Sequence, residues 1–150
     1  MKTKLKFIIP ALISIVLIVF VAWYISGWKS PSDIDRIEII SENQLFLEYN
    51  KYIIDFNNNT FTETERKSGI EQKNITHFSD KDKENFVRKA NMYGFFIWKK
   101  SYEPLTENMC GGSYTKFETK YNDGTDKKTY CSYAYPITYN KMWETIFELS

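Results

Sequence analysis

Few side chains in this chain have the type and spacing to do chemistry: one histidine, two cysteines, two glutamates and a set of aromatic rings. His77 stands alone in a polar stretch. Zinc sites draw on several Cys or His ligands, so it reads as an ordinary loop residue. Glu103 and Glu107 would face each other on a helix, but Pro104 between them points to a loop and to solvated carboxylates. A nucleophilic site needs a nucleophile, a base and an orienting group, and no Gly-x-Ser-x-Gly turn is present to hold one. Gly111-Gly112 lacks the Lys-Ser/Thr of a phosphate loop. No catalytic, cofactor-binding or metal-binding residue is therefore expected. Trp98, Tyr102, Tyr114, Tyr133 and Tyr135 remain as a candidate surface for stacking on a ligand or a partner.

Cys110 and Cys131 are a candidate disulfide. With Asp123-Gly124 as a two-residue turn, Cys131 faces Lys116 across a hairpin. Cys110 lies six residues before Lys116, about 20 Å along a straight strand, whereas bonded cysteines have Cα atoms roughly 4.4–6.8 Å apart. The bond forms only if Gly111-Gly112 folds the preceding segment back along the hairpin. Such a closure would stabilise the fold by about 3 kcal/mol and suits an oxidising exterior.

These residues hang from an N-terminal run, Phe7 to Ile25, that carries no charge. Its 19 residues approach the roughly 20 that span a bilayer core. Lys2, Lys4 and Lys6 precede it and Trp23, Tyr24 and Trp28 gather at its far end, the arrangement of an inside-facing flank and an interfacial aromatic belt. A cleaved signal peptide has a shorter apolar core and small residues before the cut. Here the end is bulky, so an uncleaved anchor is preferred and secretion after cleavage is the alternative. The expected organisation is an anchor over 1–28, a linker over 29–33 and one extracytoplasmic domain over 34–150. All 19 acidic residues and 17 of the 20 basic ones lie beyond residue 28, a net charge near −2 with both signs mixed. That excludes a basic nucleic-acid face.

The domain is expected to be α+β, an antiparallel sheet of about six strands with two helices on one face. Ile34–Ile40 alternates as a first strand, with Ile37 and Ile39 inward. Ser41–Asn43 reads as a turn, Leu45–Tyr49 as a second strand, Asn50-Lys51 as a reversal and Tyr52–Phe56 as a third strand. Asn57-Asn58-Asn59 is a turn leading into Phe61–Glu65, and Arg66–Phe78 reads as a loop. Ser79-Asp80-Lys81-Asp82 caps a helix with Phe86, Val87, Ala90 and Tyr93 on one face, closed by Gly94. Phe95, Phe96 and Trp98 plug the core, and Tyr102–Asn108 is a loop. A hairpin follows, Thr115–Tyr121 with Phe117 inward, then Lys127–Tyr135. Thr138 caps a last helix with Met142, Trp143, Ile146 and Phe147 buried.

Through Gly94-Phe95-Phe96-Ile97-Trp98-Lys99, Gly111-Gly112, Asp123-Gly124 and Tyr135-Pro136, residues 79–148 resemble a small domain of bacterial exported proteins and lipoproteins. The chain departs from that pattern in having no lipid-accepting cysteine after the apolar run, and in placing Cys131 where the pattern favours a small residue. The resemblance implies an envelope setting and no activity. Together the readings give a membrane-tethered binding module for a protein partner, in the manner of an immunity or inhibitor protein. A small-ligand or glycan-binding domain with an aromatic pocket is the alternative.

Overall fold

The computed structural model describes residues 2–43, 48–102, 113–132 and 134–150, with the backbone alone for 2–12, 23, 43 and 113. Helix α1 spans Lys2–Ser26. Among the described residues no helix is long and apolar enough to cross a membrane, and the described side chains of α1 begin at Ile13. A short 3-10 turn, Pro31–Asp33, leads into β1 (Ile34–Asn43), β2 (Glu48–Asp55), β3 (Thr60–Lys67) and β4 (Ile70–His77). Helix α2 (Asp80–Met92) and a second 3-10 turn, Phe95–Ile97, precede β5 (Ser101–Tyr102), β6 (Ser113–Tyr121), β7 (Asp126–Ser132) and α3 (Tyr139–Phe147). The sheet order is β4-β3-β2-β1-β6-β7-β5. Every pairing is antiparallel except β5 with β7.

The architecture is α+β, but the sheet has seven described strands and is mixed, not an antiparallel sheet of six. The parallel pair arises because the chain returns from α2 to the far edge of the β6–β7 hairpin and enters it in the direction of β7. Ser41–Asn43 is not a turn: these residues continue β1 and pair with Asn50–Glu48 and Thr115–Ser113. Nor do Asn50-Lys51 reverse the chain. They lie inside β2, opposite Ser41 and Ile40, so Glu48 and Tyr49 run on unbroken into the expected third strand. The strand part at Leu45, Phe46 and Leu47 lies outside the described residues.

Arg66–Phe78 is a strand pair rather than a loop. Ser68 and Gly69 both have positive φ, 53° and 81°, a two-residue turn of the kind that matches sheet twist, and β4 runs back along β3. Nearly all of β4 is exposed, so no alternation marked it. The β6–β7 turn shows the opposite error. Tyr121 and Thr125 close it, with Gly124 in the left-handed region at φ 83°. The turn therefore has three residues, the form that ends in a left-handed glycine. Cys131 accordingly faces Thr115, not Lys116, and falls on the buried side.

One face of the sheet carries the core. Ile37 and Ile39 of β1, Tyr52 and Ile54 of β2, Phe61 of β3 and Phe117 of β6 are buried there. Ile34 joins them because β1 holds one extra residue between Ile34 and Arg36, a bulge that resets the alternation. Aromatic edges knit sheet to helices: Phe56 lies 5.8 Å from Phe86 of α2, and Tyr52 5.3 Å from Trp143 of α3. Helix α2 begins as its sequence demands, with Ser79 and Asp82 capping each other reciprocally and Gly94 left-handed beyond its end. In α3 the buried residues are Met142, Thr145 and Ile146, with Trp143 partly covered and Phe147 45 % exposed. The stripe is thus rotated from the expected one. Thr138 makes no side-chain cap, its hydroxyl being used elsewhere. The opposite face is polar, with Lys51 3.0 Å from Glu38 and Lys116 2.7 Å from Glu118.

Candidate functional site

The end of α1 is fastened to the domain at the end of α2. The Tyr24 hydroxyl lies 3.1 Å from the Asn91 carbonyl and 3.0 Å from that of Met92, two carbonyls of the last turn of α2, where the regular helical partners run out. Asn91 is itself buried, and its side chain acts as a strand would. It accepts from the Lys29 N–H at 2.9 Å and donates to the Lys29 carbonyl at 2.7 Å. The Lys29 ammonium sits 4.6 Å above the Tyr121 ring, and burial pushes that phenol up to about 12. Gly27 packs so tightly that a Cβ there would come within 2.2 Å of Ile97 Cγ2. Ser32 and Asp33 are tied to the β6–β7 turn: Asn122 donates its side-chain N–H to the Ser32 carbonyl at 2.6 Å and its backbone N–H to the Asp33 carbonyl at 2.9 Å.

Around this junction opens a hollow of about 540 Å³, walled by Phe20 and Tyr24 of α1, Met92 at the end of α2, Trp98, Tyr102 and residues 135–138. Three of the five candidate aromatics meet here. Trp98 forms the floor and is 6 % exposed. Its indole N–H donates to Thr138 Oγ1 at 3.2 Å, and that hydroxyl donates onward to the Tyr93 carbonyl at 2.7 Å. The Tyr102 hydroxyl accepts from the Lys99 N–H at 3.1 Å. Tyr135 lies at the rim, 43 % exposed, its ring 4.3 Å from that of Tyr139. Tyr114 is elsewhere. It pairs with Glu42 on the outer face of the sheet, and burial, then the bond to Glu42, raise its phenol. Tyr133 lies outside the described residues. The hollow is therefore apolar and open, and the hydroxyls of Tyr24, Tyr102 and Thr138 are engaged with the protein. Ile137 is fully exposed beside it, and Met92 and Phe20 are more than half exposed.

Cys131 is fully buried and has no disulfide partner among the described residues, and burial pushes its thiol up to about 11, the setting of an inert thiol. Cys110, Glu103, Glu107 and Gly111-Gly112 lie outside the described residues, and with them the proposed disulfide. Among the described residues no three His, Cys, Asp or Glu side chains gather to hold a metal. His77 ends β4 and is exposed. Lys127 is half-buried, donates to the Phe96 carbonyl and is lowered to about 8, first by burial and then by the charge of Lys29.

The sequence reading missed Asn91, Ile137 and the β4 edge. Asn91 did carry a signal, a polar residue four positions after Val87 on the apolar face of α2. No protein-family model matches the chain, and no curated protein matches it.

Proposed function

We propose that the chain is a membrane-tethered, extracytoplasmic protein-binding module of the bacterial cell envelope, anchored through Phe7–Ile25, with the lysine flank inside. The observation that carries this reading is the exposure of α1. From Ile13 to Ala22 every side chain is exposed, and the large ones, Ile13 to Val21, are 45–68 % so. Ten successive positions at 100° each cover all sides of a helix. Exposed apolar surface costs about 25 cal/mol per Å² in water, so such a helix calls for a lipid surround. Residues 7–12 extend the apolar run to 19. The Tyr24 bonds to α2 favour retention over cleavage, since a cut near Gly27 would remove that hydroxyl from the fold.

Two features favour a protein partner over a small ligand. The hollow turns its hydroxyls inward, and the Trp98 ring is covered, whereas a glycan site offers open ring faces and converging polar groups. At the other end, β4 is an edge strand of eight residues with one side unpaired among the described residues, which suits strand addition by a partner. An immunity or inhibitor protein would have this form. Protease shaving of intact cells tests the reading. The domain from Asp33 onward is expected to be digested, and photo-crosslinking from position 75 in native membranes should yield one protein adduct. Protection of the domain would overturn the orientation, and a mature N-terminus near Gly27 would overturn the anchor.

A further inference from the structure

We propose that the rim of the junction hollow, at Met92, Tyr135 and Ile137, is seated in the headgroup layer of the bilayer that holds α1, so that phospholipid fills the hollow. The inference rests on reading α1 as the anchor. Its basis is depth. Phe20 and Ile137 wall the same hollow, and Phe20 lies five residues before Ile25, the end of the apolar run. At 1.5 Å per residue that is about 7 Å inside the span, within the roughly 5–10 Å to which apolar faces sink at a membrane surface.

The domain cannot rise away from this level without breaking its fastening. Tyr24 holds the end of α2, Asn91 holds Lys29 through two bonds, and Gly27 is wedged on Ile97. The composition of the rim fits the layer. Ile137 offers its whole side chain, Met92 is 54 % exposed, and Tyr135 presents an amphipathic ring, of the kind that settles at the headgroup level. The rim also carries the exposed Lys99, whose stem can lie along apolar surface while its ammonium reaches a phosphate.

The test uses the full chain with Cys110→Ser, reconstituted in phosphatidylcholine–phosphatidylglycerol vesicles and labelled with a fluorophore at Ile137→Cys, Val16→Cys or Ile75→Cys. Nitroxide-bearing lipids quench by depth, and aqueous iodide quenches what is outside. The label at 137 should be quenched most by nitroxides near the headgroup and be shielded from iodide. The label at 16 should respond to nitroxides deep in the chains, and the label at 75 to iodide alone. If 16 is quenched deeply while 137 behaves like 75, the seating is wrong and the anchor stands. If 16 is not quenched by lipid, the anchor fails and the seating with it.

Discussion

The two ends of the molecule both expose apolar side chains, and they expose them differently. At the α1 junction Phe20, Met92, Tyr135 and Ile137 surround one hollow whose floor, Trp98, packs edge-on against Phe95 and Phe117 at 5.0 and 5.4 Å. At the β3–β4 edge Ile70 and Ile75 are just as exposed. They lie five positions apart on a strand, so they point to opposite faces and share no surface. Isolated exposed apolar residues are ordinary, and a contiguous set over a rigid floor marks a contact. The helices explain the asymmetry. Both pack over the middle of the sheet, leaving β4 beyond their reach and the end of α2 against α1.

The largest expected effect lies in the floor of the junction. Phe117 is 2 % exposed and touches the rings of Phe95, Trp98, Tyr139 and Trp143. Phe117→Ala should cost about 3–5 kcal/mol in chemical denaturation of the solubilised full chain, and Ile75→Ala less than about 0.5 kcal/mol. Equal losses would mean that the edge is packed as the junction is.

A smaller effect is expected from Gly27→Ala. The added carbon meets Ile97 Cγ2, a methyl fixed directly to the branched Cβ and so short of freedom to swing away, and overpacking of this kind costs about 1–3 kcal/mol. Hydrogen exchange at the Lys29 amide, which donates to Asn91, should quicken while that of β6 stays slow. An unchanged Lys29 amide would show that the fastening does not depend on this contact.

The outer sheet face should respond less than the junction. The Lys116 hydrogen bond holds the Glu118 carboxyl below its usual value against the opposing effect of burial, with the charges of Lys116 and Lys128 assisting. A depressed carboxyl stabilises the fold above its unfolded pKa, about 4.3, and that increment is lost as pH falls through the lower folded value. Glu118→Gln should therefore lower stability at pH 7 by at most about 1 kcal/mol and make the acid-side decline shallower. A steeper decline in the variant would reverse the sign and assign the acid sensitivity elsewhere.

What the sequence determined by itself was local. Ser79 and Asp82 start α2 and Gly94 closes it because capping and a left-handed residue need only near neighbours. Ile37, Ile39 and Phe117 point inward because a strand with one buried side must alternate. The apolarity of α1 is likewise written in its residues. Tertiary structure decided what pairing and coverage decide. Asn50-Lys51 looks like a turn, yet β1 and β3 hold it in the middle of a sheet. Residues 70–77 show no periodicity because none of the described residues covers β4, and a strand can be held by its backbone bonds alone. The β6–β7 register rested on one residue of turn length, enough to move Cys131 from opposite Lys116 to opposite Thr115. The fastening of α1 joins Tyr24, Gly27 and Lys29 to Asn91 and Ile97, more than sixty residues away. No local pattern encodes that meeting; it exists only once the sheet has brought the end of α2 beside the start of β1.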